Sequence, residues 1–145
     1  MRKGIVLLAM IVLSGCASMG LQSGPEKDFQ DAAVSIKEKK YSAALAGYQK
    51  ILREAPNTEL AKDAQFEIAL IHATPENPQK DYVQAMHEFE TFLKLRPEDR
   101  PAREARSWIA VLKTILDLKK ENELLKKNIE ELKQLDIRHE ERRRK

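Results

Sequence analysis

The chain has 145 residues, of which 34% are charged and 6% are aromatic, and its formal net charge is +3 at pH 7. This length allows one modest domain and an extension, and the composition suits exposed, salt-bridged helices better than a large sheet-based core. The small net charge provides no basic field that would attract nucleic acid, so we expect no nucleic-acid partner.

The first fifteen residues have the order of a secretory signal. Arg2 and Lys3 precede nine consecutive apolar residues, 5–13, and the small residues Ser14 and Gly15 follow. The apolar run is well short of the roughly 20 residues that cross a bilayer as a helix. We therefore predict a removable signal peptide over residues 1–15.

Cys16 follows directly and is the single cysteine of the chain, so it cannot close an internal disulfide. Leu13, Ser14, Gly15 and Cys16 together resemble the lipobox of bacterial lipoproteins at every position. The resemblance implies that Cys16 is acylated, with palmitate among the expected chains, and that it anchors the protein to a membrane. The alternative is an ordinary secretory signal with an incidental cysteine.

Ala17 stands where an aspartate commonly retains lipoproteins at the inner membrane. The resemblance therefore implies an outer-membrane anchor facing the periplasm, in a bacterium with two membranes. Residues 16–25 are small, polar and contain glycine, so we interpret them as a flexible tether between the lipid and the folded part.

Apolar residues then recur at three- and four-residue steps, which predicts an all-α protein. The expected helices are 26–39, 41–55, 59–73, 80–95 and 99–135 or beyond. Thr58 and Asp99 are the expected N-caps of the third and fifth helices. We assign residues 26–112 to a repeat domain and residues 113–145 to a long charged helix with a basic end.

An internal repeat relates residues 41–56 to residues 82–97 at a constant offset of 41. The matched pairs are Tyr41 and Tyr82, Ala44 and Ala85, Tyr48 and Phe89, Leu52 and Leu93, and Pro56 and Pro97. Small alanines let paired helices approach closely, the aromatic residues fill the space beside them, and a proline cannot continue the helix. The matches go on into the next predicted helix, so each unit is expected to be a helical hairpin.

This spacing of tyrosine, alanine, aromatic residue and proline resembles the second helix of the tetratricopeptide repeat. The resemblance implies about two and a half helical hairpins with a concave groove for a protein partner. Tyr41, Tyr48, Tyr82 and Phe89 would then be packing residues, not ligands. The family's repeat has about 34 residues, and the seven-residue stretch 74–80, TPENPQK, can supply the difference.

The predicted fifth helix contains neither proline nor glycine beyond Trp108, and it carries a heptad seam. The seam residues are Trp108, Val111, Ile115, Leu118, Asn122, Leu125, Ile129 and Leu132. Asn122 falls at an a position, where a polar residue fixes register and favours two strands. In a parallel dimer Glu121 would face Lys126 of the partner.

We therefore predict a projecting coiled coil, formed with itself or with a protein partner. Leu112, Leu116 and Leu135 lie near the same stripe, so the helix could instead fold back and cap the repeats, or remain solvated and frayed. The basic residues at 138–145 suit the dipole of a helix C-terminus. They are either solubilising charge or a contact for an acidic surface.

No Gly-rich phosphate loop and no hydrolase or zinc-protease motif occurs in the sequence. Asp136, His139 and Glu140 could share a helix face, but three such residues on a charged helix are weak grounds for a metal site. We therefore expect no enzyme, no cofactor, no metal and no small-molecule substrate.

A lipobox followed by divergent repeats resembles the tetratricopeptide lipoproteins of the bacterial envelope. Residues 26–112 resemble the BamD type, which belongs to the outer-membrane protein assembly machine. Residues 125–145 resemble the QseG type, short lipoproteins that accompany an envelope-sensing histidine kinase. These resemblances imply a non-catalytic adaptor, as an accessory to a sensor kinase or as a component of outer-membrane assembly or cell-wall machinery. A dimeric structural spacer is the third possibility.

Overall fold

A computed structural model of the protein describes residues 24–98 and 100–144, and all regular secondary structure among them is helical. The five helices are α1 (Pro25–Lys37), α2 (Tyr41–Glu54), α3 (Glu59–Ala73), α4 (Tyr82–Leu95) and α5 (Arg100–Arg144). The prediction of an all-α protein is confirmed. The predicted signal peptide, the predicted lipidation site at Cys16 and the predicted N-cap Asp99 lie outside the described residues.

Short polar side chains start α3 and α4. The hydroxyl of Thr58 accepts a hydrogen bond from the Ala61 backbone N–H at 3.1 Å. The carboxylate of Asp81 accepts bonds from the backbone N–H groups of Val83 and Gln84 at 2.9 and 3.0 Å. Each side chain satisfies N–H groups that have no partner inside the helix, which explains why the helices begin at these positions.

The turn between α1 and α2 reverses the chain in three residues, 38–40. Lys39 has a φ of 59°, which is left-handed backbone. Its N–H donates to the carbonyl of Ile36 at 2.9 Å, and the N–H of Lys40 donates to the carbonyl of Ser35 at 2.8 Å. This pair of bonds is the Schellman motif, which caps α1 and directs α2 back along it.

The helices stack in chain order, with α1 against α2, α2 against α3, α3 against α4 and α4 against α5. Two hydrophobic clusters lie between them. The first consists of Ala32, Tyr41, Ala44, Tyr48, Ile51, Ala61, Ala64, Ile68 and Ile71. The second consists of Ala69, Ala73, Ala85, Phe89, Phe92, Ala105 and Leu112. Since α3 contributes to both clusters, the two hairpins share one continuous interior.

Most residues matched at the offset of 41 have similar environments, although Ala69 is buried and Ala110 is exposed. The buried pairs are Ala44 and Ala85, Tyr48 and Phe89, Ile51 and Phe92, Ala61 and Ala102, and Ala64 and Ala105. Leu52 and Leu93 are both half-buried, while Tyr41 is buried and Tyr82 is half-buried. Full burial of one large apolar side chain stabilises a protein by roughly 1.5–3 kcal/mol. The repeated pattern therefore marks the main apolar contacts of both hairpins.

Pro56 and Pro97 are exposed and lie two residues beyond the ends of α2 and α4. Their distance from the helix ends is the same in both hairpins. A proline there cannot extend the helix, because its ring removes the N–H that the next turn would need.

The period of 41 residues is seven longer than the spacing of 34 between α1 and α3, and these seven residues lie between the starts of α3 and α4. The starts of α1 and α3 are 34 positions apart, whereas those of α2 and α4, and of α3 and α5, are 41 positions apart. The connection 74–81 is held from inside by Asn77, whose side chain is fully buried. Its Nδ2 donates to the carbonyl of Ile71 at 3.0 Å, and its Oδ1 accepts from the N–H of Gln79 at 2.9 Å.

Only the first part of α5 belongs to the repeat stack. Ala102, Ala105 and Leu112 are fully buried, Ile115 and Leu116 are half-buried, and every residue from 117 to 144 is exposed. The helix has 45 residues, which corresponds to roughly 67 Å at 1.5 Å per residue. It therefore extends past the repeats without folding back on them. No helix among residues 24–98 and 100–144 is long and apolar enough to cross a membrane.

Candidate functional site

Two surfaces are candidates for function. The first, the inner groove, is a depression of about 250 Å³. Its lining residues are Phe29, Asp63, Phe66, Glu67, Phe92, Pro101 and Glu104. They come from α1, α3, α4 and α5, because the first helix of each hairpin, and α5 after them, faces the same side of the stack. The groove is thus a product of the repeat geometry and belongs to no single helix.

Aromatic rings form the floor of the inner groove and connect it to the interior. The ring of Phe29 meets that of Tyr48 edge to face, with centroids 5.0 Å apart. Phe66 makes the same kind of contact with Phe89 at 5.4 Å and with Phe92 at 5.1 Å. Such edge-to-face pairs are favoured by the ring quadrupoles. The floor is therefore apolar, and its rings are packed against one another.

Carboxylates form the rim of the inner groove. Asp63, Glu67 and Glu104 all line it. Burial raises the pKa of Glu67 above its usual range, and the nearby charges of Asp63 and Glu104 raise it further. The pKa of the Tyr48 hydroxyl is also raised, chiefly by burial and then by the charge of Glu67. The groove thus has a negative potential that favours a cationic group over an anionic one.

Arg96 limits that negative charge at one side. Its guanidinium forms ion pairs with Asp63, at 2.9 Å, and with Glu59. The pKa of Glu59 is lowered by its hydrogen bonds to Lys62 and Arg96. Because Arg96 follows α4 while both acids lie on α3, these pairs connect the two helices of the second hairpin. Glu67 and Glu104 form no ion pair with the described residues.

The second surface is the α5 seam, which consists of Ile115, Leu118, Asn122, Leu125, Ile129 and Leu132. Ile115 is half-buried, and the others are exposed. Leu118 is 56% exposed and Leu132 is 61% exposed. These are large apolar side chains on a helix that is otherwise highly charged, and no described residue covers them.

The seam residues nearest the repeats have other contacts. The indole of Trp108 stacks on Phe89, with centroids 6.2 Å apart and an angle of 6° between the planes. Leu112 is fully buried in the second cluster. The part of the predicted heptad pattern that remains available to a partner therefore begins near Ile115.

Lysines flank the α5 seam on one side. Lys119, Lys126 and Lys133 recur every seven residues and are exposed. Two of them pair with acids on their own helix, Lys126 with Glu123 at 3.0 Å and Lys133 with Glu130 at 4.0 Å. Exposed pairs of this kind contribute little to stability, so these lysines can turn towards a partner.

None of the repeat-packing residues predicted from the sequence lines the inner groove, and most of them lie in the interior, whereas Tyr82 is half-buried and Pro56 and Pro97 are exposed. Tyr48 and Phe89 support its floor from below. The residues that do line the inner groove were not predicted from the sequence. A signal existed for two of them, because Asp63 and Glu104 occupy equivalent positions at the offset of 41. Among the described residues, no group of three His, Cys, Asp or Glu side chains is arranged to hold a metal ion.

Comparison of the chain with protein-family models, with curated proteins and with solved structures returned no match. The inner groove, the α5 seam and the sequence motifs are therefore the features from which a function can be proposed.

Proposed function

We propose that this chain is a non-catalytic adaptor lipoprotein that binds proteins through the inner groove and the α5 seam. In this proposal, acylated Cys16 anchors it to the outer membrane, and residues 24–145 face the periplasm. The observation that carries the proposal is the exposed apolar row from Leu118 to Leu132 on a helix that extends past its own domain.

A helix in this situation has little to stabilise it alone. Most helical stability in proteins comes from packing an apolar face, and isolated helices are marginal in water. Contiguous exposed apolar surface on a soluble protein commonly marks an interaction site. Both considerations support a protein partner along the α5 seam.

The inner groove supports a second contact. We interpret the two hairpins and the start of α5 as about two and a half tetratricopeptide-like repeats, and solenoids of this kind bind partners on their concave face. The acids Asp63, Glu67 and Glu104 favour a partner segment that carries lysine or arginine. The aromatic floor favours an apolar or cation–π contact beside that charge.

The partner class follows from the resemblance to QseG-type lipoproteins, which suggests an accessory to a two-component sensor kinase. Its periplasmic sensor domain would be the bound protein. An outer-membrane assembly or cell-wall component is the alternative that the BamD-type resemblance suggests, and the experiment below distinguishes it.

The test is crosslinking and pull-down of the tagged full chain from bacterial envelopes. The seam variant is Leu125→Gln with Ile129→Gln, which keeps helix-forming residues but removes the apolar row. Its matched control is Lys120→Gln with Lys127→Gln, which makes the same replacement on the opposite face of α5. The groove variant is Glu67→Lys with Glu104→Lys.

Recovery of a sensor kinase, lost in the seam or groove variant and kept in the matched control, is the expected result. Recovery of outer-membrane assembly proteins in place of a kinase would show that the partner belongs to the assembly machinery. If the tagged chain captures no other protein, the adaptor proposal fails. Membrane attachment is tested separately with Cys16→Ser, which should move the chain from the membrane fraction to the soluble fraction.

A further inference from the structure

We propose that the α5 seam binds α5 of a second copy of this chain, in a parallel and in-register two-stranded coiled coil over residues 115–135. This inference rests on the proposed function only in taking the α5 seam as an interaction surface. It commits the seam to one occupant and leaves the inner groove free for the protein partner.

The seam residues divide into two kinds by heptad position. Ile115, Asn122 and Ile129 occupy the a positions, and Leu118, Leu125 and Leu132 occupy the d positions. β-branched residues at a with leucine at d favour two parallel strands over three or four. This division is self-complementary, since each residue would meet its own copy across the axis.

The structure sets the limits of the coiled coil. Towards the repeats, Trp108 stacks on Phe89 and Leu112 is buried against α4, so these two residues are already occupied. Towards the C-terminus, the next core positions are Asp136 and His139, which interrupt the apolar row. Three heptads remain between these limits, and all their residues except Ile115 and Leu116 are exposed.

The flanking charges determine the direction of the strands. Lys119, Lys126 and Lys133 occupy the e positions. In an antiparallel pair, e positions face e positions, so lysines would oppose lysines along one side. In a parallel pair, e positions face the g positions of the other copy, which are Thr114, Glu121 and Asn128. The parallel arrangement therefore has no like-charge pair and one attractive pair, Glu121 with Lys126, on each side.

Asn122 fixes the register of that arrangement. A polar side chain at a core position is tolerated best where it meets a hydrogen-bonding partner, and only the in-register parallel pair brings the two Asn122 amides together. Glu121 makes no ion pair with any described residue of its own chain, so its carboxylate is available to Lys126 of the second copy.

The membrane attachment through Cys16 that the proposed function includes is compatible with parallel α5 helices. A parallel pair holds both repeat domains at one end of the coiled coil, so both tethers can reach the same membrane. An antiparallel pair would hold the two repeat domains at opposite ends of the coil. Anchoring on one membrane also raises the local concentration of the two helices, which helps a pairing of only three heptads.

The test is disulfide crosslinking of the full chain in cells, with single cysteines introduced along α5. Leu118→Cys, Leu125→Cys and Leu132→Cys probe the d positions, and Lys120→Cys, Lys127→Cys and Gln134→Cys are the matched controls on the outer face. The unchanged chain, whose single cysteine is Cys16, gives the background. An oxidant is added and covalent dimer is read on a non-reducing gel.

We expect the d-position variants to form dimer at least about tenfold faster than the controls, because thiols held face to face react at a high effective concentration. In the Leu125→Cys chain, the further replacement Glu121→Lys places the new lysine opposite Lys126 of the second copy. This repulsion should slow crosslinking by about fivefold. Adding Lys126→Glu should restore most of the rate, because the attractive pair is then rebuilt with its charges exchanged.

Equal rates at the d positions and the outer face, or no dimer at any d position, would overturn the inference. So would failure of the exchanged charges to restore the rate, since residues 121 and 126 of the two copies face each other in the parallel arrangement and the exchange rebuilds that pair. The proposed function fails separately: a seam that forms no homodimer but still captures another protein in the pull-down refutes this inference and leaves the adaptor standing.

Discussion

The replacement Asn77→Asp tests how the long connection between α3 and α4 is held. Asn77 is fully buried, donates to the carbonyl of Ile71 at 3.0 Å and accepts from the N–H of Gln79 at 2.9 Å. Aspartate has nearly the same shape. When ionised it can still accept from Gln79, but it cannot donate to Ile71, and it brings a charge into a buried position.

The expected loss of stability at pH 7 combines two costs. The Ile71 carbonyl loses its bond from residue 77 and keeps its bond from the Thr74 N–H at 3.3 Å, a loss of about 0.5–1.5 kcal/mol, and an uncompensated buried charge adds a larger desolvation cost. We expect the free energy of unfolding to fall by about 3–5 kcal/mol, which is large against the roughly 5–15 kcal/mol that stabilises a typical domain. The connection would open first, and the end of α3 with it.

The pH dependence has a definite sign. Burial raises the folded-state pKa of the new carboxyl above its ordinary value of about 4. Once protonated, that carboxyl can donate to the Ile71 carbonyl as the amide does. The variant should therefore approach the stability of the parent as the pH falls through the ordinary carboxyl range, and lose stability as the pH rises through the folded-state pKa.

The assay is urea unfolding of the full chain followed by the fluorescence of Trp108, the single tryptophan, which stacks on Phe89 in the second cluster. Asn57→Asp, at an exposed position before α3, is the matched control and should change stability by less than about 0.5 kcal/mol. Equal effects of the two replacements at pH 7, or an Asn77→Asp deficit that does not shrink at lower pH, would refute the reasoning.

Three further replacements test other contacts by the same unfolding measurement. Lys39→Gly should stabilise by about 0.5–1 kcal/mol because it relieves left-handed backbone in a β-carbon-bearing residue; a loss of stability would contradict this. Gly47→Ala should destabilise by about 1 kcal/mol despite its better helix propensity, because the new Cβ would lie 3.0 Å from that of Ala32, and adding Ala32→Gly should remove the clash. Glu67→Gln should stabilise by about 0.5 kcal/mol at pH 7, since the raised pKa means that folding disfavours the ionised form. That gain should vanish as the pH falls below the ordinary carboxyl pKa.

Much of the fold could be predicted from residues whose spacing alone carries information. Alanines and aromatic residues at three- and four-residue steps locate the buried faces of α2 and α4, and the offset of 41 relates them. Thr58 could be predicted as an N-cap because the capping side chain and the helix that it caps are adjacent in sequence. Local chemistry and periodicity suffice for such features.

The inner groove could not be predicted in the same way. Phe29, Glu67 and Glu104 are far apart in sequence, and they line one depression only because the fold brings α1, α3 and α5 to the same side of the stack. The role of Asn77 was equally hidden, since an asparagine between two prolines indicates an exposed loop. Its burial depends on how the connection packs against the end of α3, which no local pattern encodes.

The α5 seam could be predicted from the sequence only in part. Its heptad spacing is visible in the sequence, but periodicity alone does not distinguish a projecting helix from one that folds back. The exposure of every residue from 117 to 144 decides this for the single chain. Leu112 and Trp108 mark the point at which packing inside the domain ends.

Because α5 is uninterrupted, it acts as a lever whose short arm is embedded in the second hairpin. From Leu112 to Arg144 the free arm is roughly 48 Å long at 1.5 Å per residue. A rotation of about 10° at the contact with α4 would displace its tip by roughly 8 Å. Pro101 and Glu104 on the short arm line the inner groove. A ligand that widened the groove would therefore displace the C-terminal end of α5 by a large distance.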